Sequence, residues 1–258
     1  MSLFDGTADH YRRHRSPVPP EAAGLLLDGL DTHEPVLDLG TGTGLVLQAL
    51  APLTTGRLIG VDPDQHLLDQ AADALEADAD RLRLLRGSAE DDDLPERVGA
   101  NPGLVTICRA FHWMDQPLVA SRVHGLLLPG GRLAVMGDGS LWTSTLPWKI
   151  AVRETVQEFL GQQRRAGDGT YRHSGLDWPT LLTDTGFAEV REAEVPYERN
   201  RLMSDLPAFV HSFSFARPGL FGDRLEAFDE RLLERVSAYA VDDVLVDGNV
   251  FSVLLATR

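Results

Sequence analysis

The nine residues Val36-Leu37-Asp38-Leu39-Gly40-Thr41-Gly42-Thr43-Gly44 constrain this chain more than any other stretch, because an apolar run passes directly into three alternating glycines and then into the helical pattern that begins at Leu45. Glycine suits a place where the backbone leaves a strand, turns sharply and lets a ligand approach without a Cβ in the way. The spacing also says which ligand is disfavoured. A dinucleotide fingerprint G-x-G-x-x-G would need glycine at position 45, which holds Leu45. The turn fits a ligand without phosphates better than a pyrophosphate, and a nicotinamide-dependent oxidoreductase is the weaker alternative.

From residue 35 to about residue 136, short apolar runs alternate with longer amphipathic segments, the pattern of a buried parallel sheet with helical crossovers. Strands are expected near Val36-Leu39, Leu58-Asp62, Leu82-Arg86, Leu104-Arg109 and Leu133-Met136. Helices are expected from Leu45 to Ala51, Gln65 to Ala77, after Asp91, and from Pro117 to Leu128, where Pro129-Gly130-Gly131 stops the last of them. Beyond Met136 aromatic and helical patterns dominate: Pro147 to Gln163, Trp178 to Thr185, Ser204 to Ser214 and Asp223 to Tyr239 read as helices, and Ala188-Tyr197 and Val250-Thr257 as two late strands. The expected architecture is one α/β domain over residues 1–258: a doubly wound, mainly parallel sheet of about seven strands, an N-terminal arm at 1–16, and helical cap elements near 140–180 and 200–240.

The formal net charge of -15 argues against a nucleic-acid footprint, which needs clustered positive charge, and favours a small-molecule substrate. No apolar run approaches the roughly 20 residues that span a bilayer, and the opening residues lack a signal-peptide layout, so a cytoplasmic protein without membrane partners is expected. The lone Cys108 excludes an intrachain disulfide and reads as a core thiol. Against the acidic average stands the arm His10-Tyr11-Arg12-Arg13-His14-Arg15, either a solvated terminus or a segment that closes over an anionic ligand.

Two further segments end at the edge of the sheet where open α/β folds place ligands. Leu58-Ile59-Gly60-Val61-Asp62 carries a carboxylate at the position that meets a ribose in this architecture, and Arg86-Gly87-Ser88-Ala89-Glu90 presents small residues and a second carboxylate. Asp91-Asp92-Asp93 reads as a helix N-terminus favourably placed against the helix dipole; no metal is expected.

Taken together, Asp38 to Gly44, Gly60-Val61-Asp62, Gly87 to Glu90 and Leu128-Pro129-Gly130-Gly131 resemble the successive motifs of class I S-adenosylmethionine (SAM)-dependent methyltransferases. Phe4-Asp5-Gly6, Tyr11, Arg15 and Arg109-Ala110-Phe111-His112-Trp113-Met114-Asp115 more narrowly resemble the trans-aconitate methyltransferase-like (type 11) branch, from which Ser16 and Gly103 depart. The resemblance implies a Rossmann-like fold with the last strand inserted antiparallel, SAM as cofactor and S-adenosylhomocysteine as product. It implies that Gly40, Gly42 and Gly44 run beneath the methionyl and ribose parts, that Asp38 anchors the amino group and that Asp62 holds the ribose hydroxyls. Ala89 and Glu90 would meet the adenine edge, and Tyr11 and Arg15 would close on the methionyl carboxylate; Ser88 and Arg109 are further candidates for the cofactor set.

His112 and Trp113 follow the fourth strand, where the activated methyl would point. His112 reads either as a packed polar residue or as the group that removes a proton from the acceptor. Trp142, Trp148, Tyr171, His173 and Trp178 are candidates for an aromatic substrate wall. The expected activity is methyl transfer to a metabolite, O-methylation ahead of N- or C-methylation, by a monomer or homodimer. The rivals are a SAM-fold protein with a non-methylating reaction, such as a cyclisation or rearrangement, and a non-enzymatic SAM sensor.

Overall fold

The computed structural model describes residues 17–163 and 175–258, together with the backbone of 165–166 and 169–170. In chain order the regular elements are α1 (Pro20–Leu27), β1 (Val36–Leu39), α2 (Leu45–Leu50), β2 (Leu58–Asp62), α3 (Gln65–Ala74), β3 (Leu82–Arg86), α4 (Leu94–Val98), β4 (Leu104–Cys108), α5 (Gln116–Leu126), β5 (Arg132–Asp138), α6 (Pro147–Leu160), β6 (Arg165–Ala166), β7 (Gly169–Thr170), α7 (Trp178–Thr185), β8 (Glu189–Leu202), α8 (Leu206–His211), α9 (Leu225–Ser237) and β9 (Val244–Thr257).

The chain divides into two compact units. Described residues 17–138, 175–195 and 251–258 form the sheet unit; those between 139 and 170, with 196–250, form the second. The sheet has seven strands in the order β3-β2-β1-β4-β5-β9-β8. β1 to β5 pair in parallel, and β9 inserts antiparallel to β5, with Arg132 opposite Thr257 and Asp138 opposite Phe251. The expected Rossmann-like sheet and its inverted last strand are therefore present.

The apolar runs form central strands because both faces are covered: every residue of β1 and β2 is buried, whereas β3, at the edge, is only partly so. Leu37, Ile59, Val105, Ile107 and Leu133 build one core with Val119 and Val123 of α5. Side-chain caps start the helices where the sequence offers a carboxylate. Asp64 accepts from the His66 amide at the head of α3, and Asp115 from the Leu118 amide at the head of α5.

Several boundaries differ from the sequence reading. β4 stops at Cys108 because Arg109 takes a left-handed φ of 57°, and Cys108 is half-buried there. α3 ends at Ala74, followed by a 3-10 turn at Glu76–Asp78. α6 ends at Leu160, before Gly161 at φ 88°. The expected Ser204–Ser214 helix is a short α8 flanked by 3-10 turns, and α9 begins only after the Gly222–Arg224 turn. β8 and β9 each run 14 residues, well beyond the expected late strands. α7 belongs to the sheet unit, where Trp178 packs edge-to-face on Phe111 at 5.2 Å.

In the second unit, Trp148, Val152 and Val156 of α6 pack with Phe228, Leu232 and Val236 of α9. The spacing 148, 152, 156 is the i, i+4, i+8 stripe of an amphipathic helix. Trp148 is 4% exposed and its indole N–H donates to the Val246 carbonyl, so it serves as a core residue of this unit. Trp142 is partly buried, with its ring edge-to-face on Phe215.

Candidate active site

The order β3-β2-β1-β4-β5 contains a reversal: the chain steps outward from β1 to β2 and β3, then returns to β4 on the other side of β1. Ligands of open α/β sheets bind at the carboxyl ends of the strands beside such a switch point. The parallel register brings the carboxyl ends of β1 to β4 to one edge, and with them Asp38, the glycine turn, Asp62, Ser88-Ala89-Glu90 and Arg109 to Trp113.

The turn is held by backbone hydrogen bonds from Gly40 and Thr41 to the Val61 carbonyl, at 2.8 and 3.0 Å. Gly40, Gly42 and Gly44 all have positive φ, at 71°, 53° and 76°. At Gly40 the requirement is steric as well, since a Cβ there would stand 2.6 Å from the Ala110 Cβ. Asp62 is 7% exposed and ties the turn to β2: Oδ2 accepts from the Gly42 amide and Oδ1 from the Asp64 amide, each at 2.9 Å. Burial raises its pKa, against the pull of these two amides. Each oxygen keeps acceptor capacity for a hydroxyl.

Asp38 is 1% exposed. Its Oδ1 accepts from the Thr106 hydroxyl at 2.7 Å, the residue opposite it in β4, while Oδ2 is buried with no hydrogen-bond partner among the described residues. Burial pushes this carboxyl up to about 7, opposed first by the Thr106 hydroxyl and then by the nearby Thr41 hydroxyl. The hydroxyl of Thr43 in the turn is also buried, with no hydrogen-bond partner among the described residues. Orphaned buried polar atoms are rare in native structures and call for a partner the protein itself does not supply. A primary ammonium is the partner an unpaired carboxylate oxygen takes best, so these residues fit the amino-acid end of SAM.

Ala89 is buried, and its carbonyl accepts from Arg122 at 2.7 Å. The Glu90 carboxylate bonds the Ser88 hydroxyl and the Asp115 amide, which fastens the end of β3 to the head of α5. Asp91 and Asp93 pair with Arg97, and Asp92 with Arg122, at the start of α4. Among the described residues no group of three His, Cys, Asp or Glu side chains is placed to hold a metal ion.

Arg109 is 9% exposed in its side chain and forms an ion pair with Asp138: Nη2 and Nε stand 2.5 and 2.6 Å from Oδ2. After it, a 3-10 turn, Phe111–Trp113, buries Phe111 and exposes His112 and Trp113, whose rings lie 4.8 Å apart. His112 is thus an exposed imidazole at the sheet edge rather than a residue enclosed among aromatics. Trp142 and Trp148 stand in the other unit. Tyr11, Arg15, Tyr171 and His173 lie outside the described residues. The sequence reading missed Thr106, Ala110, Asp115 and Asp138, all of which act on the site through partners distant in sequence.

Comparison with known proteins agrees with this geometry. Residues 36–131 match a family described as a methyltransferase domain. An uncharacterised methyltransferase of Mycobacterium tuberculosis is 34% identical over 248 residues, covering 84% of this chain and 93% of that protein. Among solved structures, the YcgJ protein of Bacillus subtilis superposes with a TM-score of 0.57 at 17% identity, covering 92% of this chain and 98% of its own. A candidate type II methyltransferase from Anaeromyxobacter dehalogenans does so at 0.61 and 18%, covering 95% and 96%. With the strand order, the glycine turn and the paired carboxylates in place, the chain belongs to the class I SAM-dependent methyltransferases.

Proposed function

We propose that this methyltransferase acts on a small-molecule metabolite, with an oxygen nucleophile as acceptor ahead of nitrogen or carbon, and releases S-adenosylhomocysteine. The observation that carries the cofactor reading is the unpaired, buried Oδ2 of Asp38 beneath the glycine turn. Bound SAM supplies a methyl group on a sulfonium, open to in-line displacement, so alignment provides much of the catalysis. Asp38 holds the ammonium, Asp62 the ribose hydroxyls, and Ser88, Ala89 and Glu90 the adenine edge. Tyr11 and Arg15 remain the proposed partners of the methionyl carboxylate. A hydroxyl acceptor must lose a proton, and the exposed His112 is the group at this edge suited to take it near neutral pH. The net charge of -15 supports a small acceptor over a nucleic acid. Substrate contacts are assigned to His112 and Trp113.

The deciding experiment is release of S-adenosylhomocysteine from SAM with a panel of hydroxy acids, carboxylic acids, phenols and amines, each product checked for the added methyl by mass. Cofactor binding without a methylated product from any acceptor would favour the non-methylating alternative. His112→Ala is expected to lower turnover roughly 100-fold with cofactor affinity intact; a change of less than about threefold would remove the base from the mechanism.

Two predictions concern the cofactor residues. Asp62→Ala should weaken S-adenosylhomocysteine binding by about 1.5–3 kcal/mol, because two hydroxyls lose a charged acceptor; calorimetry with unchanged affinity would reject the site. Asp38 gives the binding a pH dependence. In the free protein its raised pKa favours the protonated form, so its contribution to stability is present at acid pH and is lost as pH rises through about 7. The bound ammonium favours the carboxylate. Affinity should therefore rise by up to about tenfold per pH unit approaching neutrality and level off above it, with proton release on binding at pH ~6. Asp38→Asn should flatten the curve; a wild-type affinity constant from pH ~5.5 to ~8 would contradict the assignment.

A further inference from the structure

Arg109 is one of three non-glycine residues with positive φ among those described, and its two companions, Asp242 and Asp243, sit together in a surface turn. An arginine gains nothing from that conformation by itself, so the surroundings must hold it there. They do so from three sides. The Arg109 amide donates to the Met136 carbonyl at 2.8 Å, extending the β4–β5 ladder one residue beyond the strand. The guanidinium grips Asp138 at the end of β5 with Nε and Nη2 on one carboxylate oxygen. Its carbon also lies 5.6 Å from the centre of the Phe251 ring, the residue paired with Asp138 across β5 and β9. The Cβ of Gly137, were there one, would meet the Arg109 side chain at 3.3 Å.

The consequence falls on the next four residues. A left-handed residue at 109 turns the chain out of the sheet at once, so that Ala110 lies against Gly40 and the 3-10 turn presents His112 and Trp113 to the edge. Among the described residues, two backbone hydrogen bonds close that turn, Trp113 to the Ala110 carbonyl and Met114 to the Phe111 carbonyl, at 2.9 and 3.1 Å.

We propose that Arg109 is a positioning residue rather than a cofactor ligand: its clasp on Asp138 and Phe251 holds the turn of residues 110–114 against the glycine turn and so fixes His112 and Trp113 toward the reacting methyl. The proposal rests on the methyltransferase site described above for its catalytic meaning, but the clasp is testable without an acceptor. The full chain is compared with Arg109→Met, Arg109→Gly, Arg109→Lys and Asp138→Asn by hydrogen exchange at residues 111–114, the His112 ring resonances, and calorimetric binding of S-adenosylhomocysteine. Arg109→Met and Asp138→Asn should each speed exchange of the Trp113 and Met114 amides by about tenfold and move the His112 resonances, with exchange in β1 and β2 unchanged. Arg109→Gly, which relieves the backbone but lacks the clasp, should behave like Arg109→Met. Arg109→Lys should recover at least half of the protection in logarithmic terms. S-adenosylhomocysteine should bind the variants within about threefold of wild type, since the guanidinium is engaged by Asp138 and Phe251 and not by the cofactor, against the expectation from the family resemblance. Unchanged exchange in Arg109→Met, or wild-type protection in Arg109→Gly, overturns the clasp. A more than tenfold loss of affinity in Arg109→Lys and Arg109→Met alike would make Arg109 a cofactor ligand instead. Failure of the wild-type protein to bind S-adenosylhomocysteine would strike the cofactor reading and leave the exchange result to stand by itself.

Discussion

Gly40→Val is expected to destabilise the protein by about 3–5 kcal/mol and to reduce S-adenosylhomocysteine binding at least 100-fold, the more severe of the effects expected at the glycine turn. Two independent costs add. The backbone at position 40 has φ 71°, which a β-branched residue adopts only with strain. A Cβ would also stand 2.6 Å from the Ala110 Cβ, so the turn that carries His112 would have to retreat. Not every glycine should behave this way. Gly125 lies exposed within α5 with nothing near its missing Cβ, and Gly125→Ala should stabilise the chain by about 0.5–1 kcal/mol through helix propensity. Chemical denaturation of the two variants side by side reads both signs. If Gly40→Val unfolds like wild type and binds normally, the close approach of residues 40 and 110 has no energetic weight.

That approach also shows what could be read from the sequence and what could not. The glycine turn, the strand before it and the carboxylate at Asp62 were legible because each is a local pattern: four or five apolar residues, then a break, then a group at the break. Buried parallel strands write themselves in this way, since neither face tolerates polar residues. The partners of those groups were not legible, because they come from register. Thr106 lies 68 residues from Asp38 and meets it only because β1 pairs with β4. Asp138 lies 29 residues from Arg109, and without that pairing an arginine at a strand end reads as a ligand contact. The burial of Asp38 likewise follows from the packing around β1, so its raised pKa has no signature in the motif.

The long strands failed for a related reason. The sequence reading ends this strand at Tyr197, yet it continues through the polar run Glu198-Arg199-Asn200-Arg201 to Leu202. Arg201 is 3% exposed, and its ring of support is Phe209, over which its guanidinium lies at 3.4 Å. Polar residues that face inward invert the alternation by which a strand is recognised. Only their counter-charge, 46 residues further on at Asp247, makes the inversion tolerable.

Replacing that counter-charge should have the largest effect in the second unit. Asp247 stands 2.6 Å from Lys149 and 3.1 Å from Arg201, and all three side chains are nearly inaccessible, at 2%, 6% and 2% exposed. Lys149 also donates to the Asn249 side chain at 2.6 Å. Asp247→Leu would leave two buried cations without their carboxylate, and breaking such a pair from one side costs about 3–5 kcal/mol. Burial already lowers the Arg201 pKa, with Asp247 the main force holding it up, so removing the carboxylate raises the cost of keeping that guanidinium charged in the core. The cause can be separated from simple loss of packing. The triple variant Lys149→Met, Arg201→Met, Asp247→Leu removes every charge while keeping apolar volume, and should recover at least half of the loss, because a buried ion cluster and its hydrophobic replacement are often close in energy. Because all described residues assigned to the cofactor lie in the sheet unit, Asp247→Leu should bind S-adenosylhomocysteine within about threefold of wild type at temperatures where it remains folded. Urea unfolding of the single and triple variants, with calorimetry on each, tests the whole chain of reasoning; equal losses in both would show that Asp247 matters for its shape and not for its charge.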